Sequence, residues 1–200
     1  MAMKIPDVIS DDEELLRTAY SPMHINVKSG KLRPACLKPM TKEPDEDDPS
    51  KMNNKVSVSR LDYAGWGFCL NHARNHQNER KTFYGFLKLL VKSVRGIGPL
   101  VKSKPVEDNP YHANIIFPDI DKPHEDELDE LESAQVQLTL KKLLDCGQFV
   151  SEEEAEMFAG QQEEVKDDEK KESSSHIEEY TPRNTKNLIS RFLSAICFWK

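Results

Sequence analysis

The stretch Asp108-Asn109-Pro110-Tyr111-His112-Ala113-Asn114-Ile115-Ile116-Phe117 constrains this chain more than any other. Asp-Asn-Pro is turn chemistry, because Asn and Asp side chains hydrogen-bond their own backbone and proline fixes φ. The apolar run behind it predicts a strand from His112 to Phe117, and Ile115-Ile116-Phe117 implies burial on both faces. A single histidine sits where turn becomes strand. Charge also changes character at this point. Residues 1–120 hold 18 Lys+Arg against 15 Asp+Glu, whereas residues 121–200 hold 10 against 20. Within the first part, residues 51–106 hold 11 basic and 2 acidic residues. A basic centre and an acidic tail imply self-shielding, a basic partner for the tail, or an acidic partner for the centre.

Upstream, the acids Asp11 to Glu14 open either a short helix or a first strand through Leu15-Leu16-Arg17-Thr18-Ala19-Tyr20, which Ser21-Pro22 stops. His24-Ile25-Asn26-Val27, the turn Lys28-Ser29-Gly30-Lys31 and extended residues 32–37 read as a hairpin. Residues 38–55 carry three prolines and read as a surface loop. Val56-Ser57-Val58-Ser59-Arg60-Leu61 alternates strictly, a strand with the valines on one face and the serines on the other. Residues 63–78 are ambiguous, since Gly65 and Gly67 weaken a helix. From Glu79, the spacing of Phe83, Phe86, Leu87, Leu90 and Val94 predicts one main packing helix, ended by Gly96-Ile97-Gly98-Pro99. Leu100-Val101-Lys102 reads as another strand.

Beyond Pro118 the sequence turns acidic and helical. Leu128, Leu131, Val136, Leu138, Leu140, Leu143 and Leu144 predict a helix over 125–146, with its acids first and Lys141-Lys142 last, and Gly147 terminating it. Ser151 with Glu154 reads as a capping box for a short helix through Phe158. Residues 160–182 have almost no apolar groups and read as a solvated linker. Leu188, Ile189, Phe192, Leu193, Ile196 and Trp199 recur at helical spacing, an amphipathic terminal helix on a tether. The expected architecture is therefore an α+β domain over 11–118 with a small mixed or antiparallel sheet, an acidic helical extension over 119–159, a linker over 160–182 and a terminal helix over 183–200.

Four kinds of chemistry can be placed on this frame. Cys69, His72 and His76 fall on one helical face and could ligate zinc, with Cys36 or His112 as a fourth ligand; the competing reading is a half-buried cysteine and two surface histidines. Arg17, Ser57, Ser59 and His112 resemble the skeleton of an ADP-ribosyltransferase-like or other nucleotide-processing site, but the glutamate such a site needs is missing from any clear strand after His112. Lys81, Lys88, Lys92 and Arg95 with nearby aromatics could meet nucleic acid, although basic residues opposite an apolar face are the usual solvated surface. His112 beside Asn-Pro is most often structural, donating to a turn carbonyl. The terminal helix has the wide apolar face with aromatics that docks into a partner groove. No run approaches the roughly 18 apolar residues of a spanning helix, and Lys186 and Arg191 are too few for a membrane-surface helix. Cys36, Cys69, Cys146 and Cys197 show no framework spacing, and the start has no secretory apolar region. A cytoplasmic protein with free thiols and no resident cofactor is expected.

Leu15-Leu16-Arg17, Pro34-Ala35-Cys36-Leu37, Val56-Ser57-Val58-Ser59-Arg60 and Asn109-Pro110-Tyr111-His112-Ala113 together resemble a group of small uncharacterised bacterial proteins. That group has an aliphatic-Arg-Arg start, an Ala-Phe strand, a Leu-Ser-Val-x-Arg strand and an Asn-Pro-Ala-His-Ala close. The resemblance covers about residues 13–117, with Thr18 in place of the second arginine and Leu37 in place of the phenylalanine. It implies a bacterial α+β module found near mobile or defence genes, and no activity. The resulting expectation is a non-enzymatic interaction or accessory protein, regulatory in a bacterial defence or stress system. The alternatives are the nucleotide-processing enzyme and a nucleic-acid-binding accessory protein.

Overall fold

Leu15 and Leu16 decide the centre of the molecule. Adjacent residues on a strand point to opposite faces, so two buried leucines in sequence require a strand covered on both sides. In the computed structural model, which describes residues 5–39, 43–120 and 130–175, they lie on β1 (Glu14–Ser21), an interior strand. β4 (Lys55–Arg60) pairs with it on one side and β5 (Thr82–Leu90) on the other. β6 (Leu100–Ser103), β7 (His112–Ile116) and β8 (Gln148–Ser151) complete a six-stranded sheet of order β6-β7-β4-β1-β5-β8, with every pairing antiparallel. The α+β class and the sheet expected from the sequence are thus present. A separate hairpin of β2 (Ile25–Asn26) and β3 (Lys31–Leu32) lies beyond the cis Ser21-Pro22 peptide. Residues Pro34–Leu37 form a 3₁₀ turn instead of continuing extended, because Pro34 pre-sets its first φ.

One face of the sheet buries Leu15, Val56, Val58, Leu87, Leu89, Ala113 and Ile115. It packs on α2 (Val91–Ile97) through Val91 and Val94, and on α3 (Glu130–Cys146) through Val136, Leu140 and Leu143. The other face buries Leu16, Phe83, Phe86 and Val150 against α1 (Leu61–Asn75), which contributes Leu61, Trp66, Cys69, Leu70 and Ala73. Ala155 of α4 (Glu152–Ser175) joins this second layer.

Two expectations are corrected here, and two further stretches gain detail. The helix expected from Glu79 to Arg95 is strand β5 followed by the short α2; β5 lies between β1 and β8 with both faces covered, so its alternation is masked. Lys81, Lys88, Lys92 and Arg95 therefore do not form one helical stripe. Lys88 Nζ pairs with Glu14 at 2.8 Å, Arg95 with Asp11 at 2.5 Å, and Lys81 lies over the Tyr20 ring. The ambiguous stretch after Leu61 is helical, kinked at Gly65 (φ 69°), where Gln162 Oε1 accepts the freed Trp66 N–H at 3.0 Å. Of the expected loop, residues 43–54 are anchored, with Asp45, Met52 and Asn54 buried.

The compact unit runs over residues 1–164, so the boundary expected at 118 falls inside it, between two strands of the same sheet. Residues 165–200 form a second unit. The capping box is realised: Ser151 N–H donates to Glu154 Oε2 at 2.8 Å, and Glu154 N–H to Ser151 Oγ at 3.2 Å. The helix it starts continues to Ser175, well past Phe158. Leu128 and the terminal-helix residues Leu188, Ile189, Phe192, Leu193, Ile196 and Trp199 lie outside the described residues. Among the described residues, no helix is long and apolar enough to cross a membrane.

Candidate functional site

The α1-side face of the sheet is apolar on β1 and β5 but polar on β4 and β7. Ser57 stands opposite Asn114, and Ser59 opposite His112, in the antiparallel register. Of these, Ser57, His112 and Asn114 floor a cleft of about 390 Å³. Its walls are the C-terminal end of α1, carrying His72 and His76, the anchored loop with Glu46 and Asn53, and the 104–109 turn with Asp108. Tyr111 fixes that turn by packing edge-on against Phe68 of α1, with centroids 4.9 Å apart.

Asn109 and Ser59 hold the turn. Asn109 Nδ2 donates to Ser59 Oγ at 2.9 Å, and its Oδ1 accepts from Tyr111 N–H at 3.0 Å. His112 Nδ1–H donates to the Lys104 carbonyl at 2.7 Å, which fixes the tautomer and leaves Nε2 as a lone pair. Burial, partly offset by that bond, holds its pKa below the ordinary histidine value. The expected donation to a turn carbonyl is therefore present, yet the same ring also lines the cleft.

His72 stacks on Phe68 (5.8 Å between centroids) and lies 4.3 Å from the His76 ring. Burial first, and His76 second, lower its pKa. His76 Nδ1–H donates to the His72 carbonyl at 2.8 Å, and its Nε2 lies 3.2 Å from Asp108 Oδ2. The ligating atoms of His72, His76 and Asp108 all fall within 4.8 Å of one another.

The lysines at the cleft are already neutralised. Lys55 Nζ contacts Asp45 at 2.9 Å and Asp47 at 2.5 Å, and Lys104 Nζ contacts Asp47 at 2.6 Å. Hydrogen bonds from Lys104 and Lys55 hold Asp47 down at about 2. For Asp45, burial would raise the pKa, but the bond from Lys55 and those from the Asp47 and Asp48 amides outweigh it. Two lysines offset these two aspartates, which leaves Glu46, Asp108 and three imidazoles as the cleft's remaining ionisable groups. Such a site favours a cation over an anion.

Asn114 stands apart from its neighbours. It is 6% exposed and lines the cleft, on the same strand face as His112. Its amide side chain has no hydrogen-bond partner among the described residues, where almost every buried polar group has one.

The structure separates residues that the sequence grouped together. Ser57 and His112 share the cleft. Arg17 does not line it, because its Nε donates to the Cys36 carbonyl at 2.8 Å and its Nη1 to the Ser57 carbonyl at 3.0 Å. Both of its hydrogen-bond partners are thus backbone carbonyls. Cys69 is buried in the apolar layer beside Ser59 and does not line this cleft, and burial pushes its thiol up to about 12. Cys36 is buried with Ala19 and Ile25 in a different cluster. His72 and His76 remain together, and Asp108, not Cys69, joins them. Asp108 and Asn114 carried no functional reading in the sequence. The available signal was the pairing of two alternations, Ser57/Ser59 and His112/Asn114, both polar where the other face is apolar. No protein-family model, curated protein or solved structure matches this chain.

Proposed function

We propose that this chain is a non-enzymatic accessory protein that binds a small polar ligand in the three-histidine cleft. The observation that carries this reading is Asn114. Its amide lines the cleft with no partner among the described residues, so two donors and an acceptor are available to a polar ligand. Binding fits the cleft better than covalent catalysis, since among the described residues no hydroxyl or thiol hydrogen-bonds an imidazole to make a nucleophile–base pair. Free Cys36, Cys69 and Cys146 suit a cytoplasmic setting. The defence or stress context is supported by the sequence resemblance alone, and capture of a protein partner by the apolar pattern of residues 183–200.

Replacing Asn114 separates the readings. Asn114→Val removes the amide and keeps a strand-forming residue, so the isolated protein should stay folded, with a urea midpoint no lower than that of wild type. Material purified from the native host should show a bound small species by intact mass under native conditions in the wild type and not in the variant. A variant that loses stability, with no species lost, would make Asn114 a packing residue and sink the proposal.

A further inference from the structure

His76 spends its Nδ1–H on the His72 carbonyl, which turns its Nε2 toward Asp108 Oδ2, 3.2 Å away. Zinc bonds of about 2.0–2.1 Å in a tetrahedron place neighbouring ligand atoms about 3.3 Å apart, close to the 3.2 Å between His76 Nε2 and Asp108 Oδ2. His72 contributes a further imidazole one helical turn away, and the three ligating groups converge within 4.8 Å. The His76 bond to a carbonyl is the outer contact that orients metal-ligating histidines and fixes their tautomer. His112 carries the same kind of bond in the same cleft. Nearby lysines do not oppose a cation, because Asp45 and Asp47 already pair with them.

We infer that His72, His76 and Asp108 form a binding site for a divalent transition-metal ion of the zinc class. Two imidazoles and one carboxylate select such an ion over magnesium or calcium, which prefer all-oxygen shells. Three protein ligands leave a coordination position open, with His112 and Asn114 lining the same cleft. This inference rests on the cleft being the working site and names the ion as the ligand, or part of it, that the site takes.

The test uses the full chain stripped with a chelator and titrated with zinc chloride by calorimetry, with cobalt(II) visible spectra as a second readout. Wild type should bind one ion per chain and give the intense ligand-field bands of tetrahedral cobalt. His76→Ala and Asp108→Asn both change exposed side chains, so circular dichroism should show both folded. Each should weaken zinc by about 100-fold or more, since losing even a partner that only orients a ligand costs about 10–100-fold. Cys69→Ala should bind as wild type does. Unchanged zinc affinity in both His76→Ala and Asp108→Asn, or loss of binding in Cys69→Ala alone, would overturn the site. If wild type takes up neither zinc nor cobalt while Asn114→Val stays folded and loses its bound species, the cation is wrong and the cleft reading stands. If Asn114→Val fails its own test while zinc binds through His76 and Asp108, the metal site stands without the wider ligand reading.

Discussion

At the scale of single residues, the side chains that define this fold are buried polar groups with assigned partners. Arg60 is fully buried, and its guanidinium grips Glu13 by two bonds of 2.8 and 3.0 Å while lying over the Tyr63 ring. The arginine ending Val-Ser-Val-Ser-Arg is thus a structural clamp. Sequence spacing could not show this, because its acid partner is 47 residues away. His24 is buried too, and its Nδ1 accepts from Tyr20 N–H at 3.2 Å. Burial first, then Arg17, lowers its pKa to about 4, with Lys81 adding to the effect and a bond to the Thr18 backbone opposing it. The ring is neutral when folded, whereas the unfolded chain protonates it near 6.5. Below that value the unfolded state binds the extra proton, so stability is full above about pH 6.5 and falls as pH drops toward 4. The loss attributable to His24 should approach roughly 3 kcal/mol at the acid end. Urea midpoints at pH 7 and pH 4.5 check this: His24→Gln should show a clearly smaller acid loss than wild type, and equal losses would refute the assignment.

At the scale of elements, β5 shows where periodicity misleads. Phe83, Phe86, Leu87 and Leu90 fit a helix as well as a doubly buried strand, because Phe86 and Leu87 face opposite layers. A bulge adds to the confusion: Ala19 pairs with Gly85 but Tyr20 pairs with Phe83, which leaves Tyr84 out of step and stacked on Phe149. Gly85 was the local clue, a residue poor for helices and suited to a bulge. Its φ is 150°, and a Cβ there would lie 2.4 Å from the Val150 carbonyl oxygen on β8. That oxygen is backbone in a paired strand and cannot step aside. Gly85→Ala should therefore destabilise by about 3 kcal/mol or more, read as a lowered urea midpoint. A change within about 0.5 kcal/mol, the usual range for a surface substitution, would show that the bulge is not held as described. The capping box at Ser151, by contrast, was legible in full, since both partners of that motif lie within four residues of sequence.

At the scale of the whole molecule, composition and pairing point to different boundaries. The charge reversal after Ile120 and the polar run that follows suggested that the domain closes with β7. The sheet instead takes its last strand, β8, from beyond that point, against β5. The reason lies in burial: Leu87 and Leu89 on β5 need cover, and Leu140 and Leu143 of α3 provide it. Gly147 lets the chain pass close to β5, where an added Cβ would lie 2.4 Å from Leu87 Cδ1. An acidic helix can therefore be core on one face while its composition reads as an appendage. The cleft was half legible for a related reason. Its histidines stood out as a helical pair, but Asp108 joins them only because β7 and α1 are brought together across the sheet. Truncation distinguishes the two boundaries. A chain ending at 118 strips α3 and β8 and bares Leu87, Leu89 and Val94, so it should fail to give a cooperative unfolding transition. A chain ending at 164 keeps every strand of the sheet and should unfold cooperatively, with a midpoint close to that of the full chain and, if the metal assignment is right, an unchanged zinc affinity. Cooperative folding of the 118-residue chain with full-length stability would return the domain boundary to where the charge reverses.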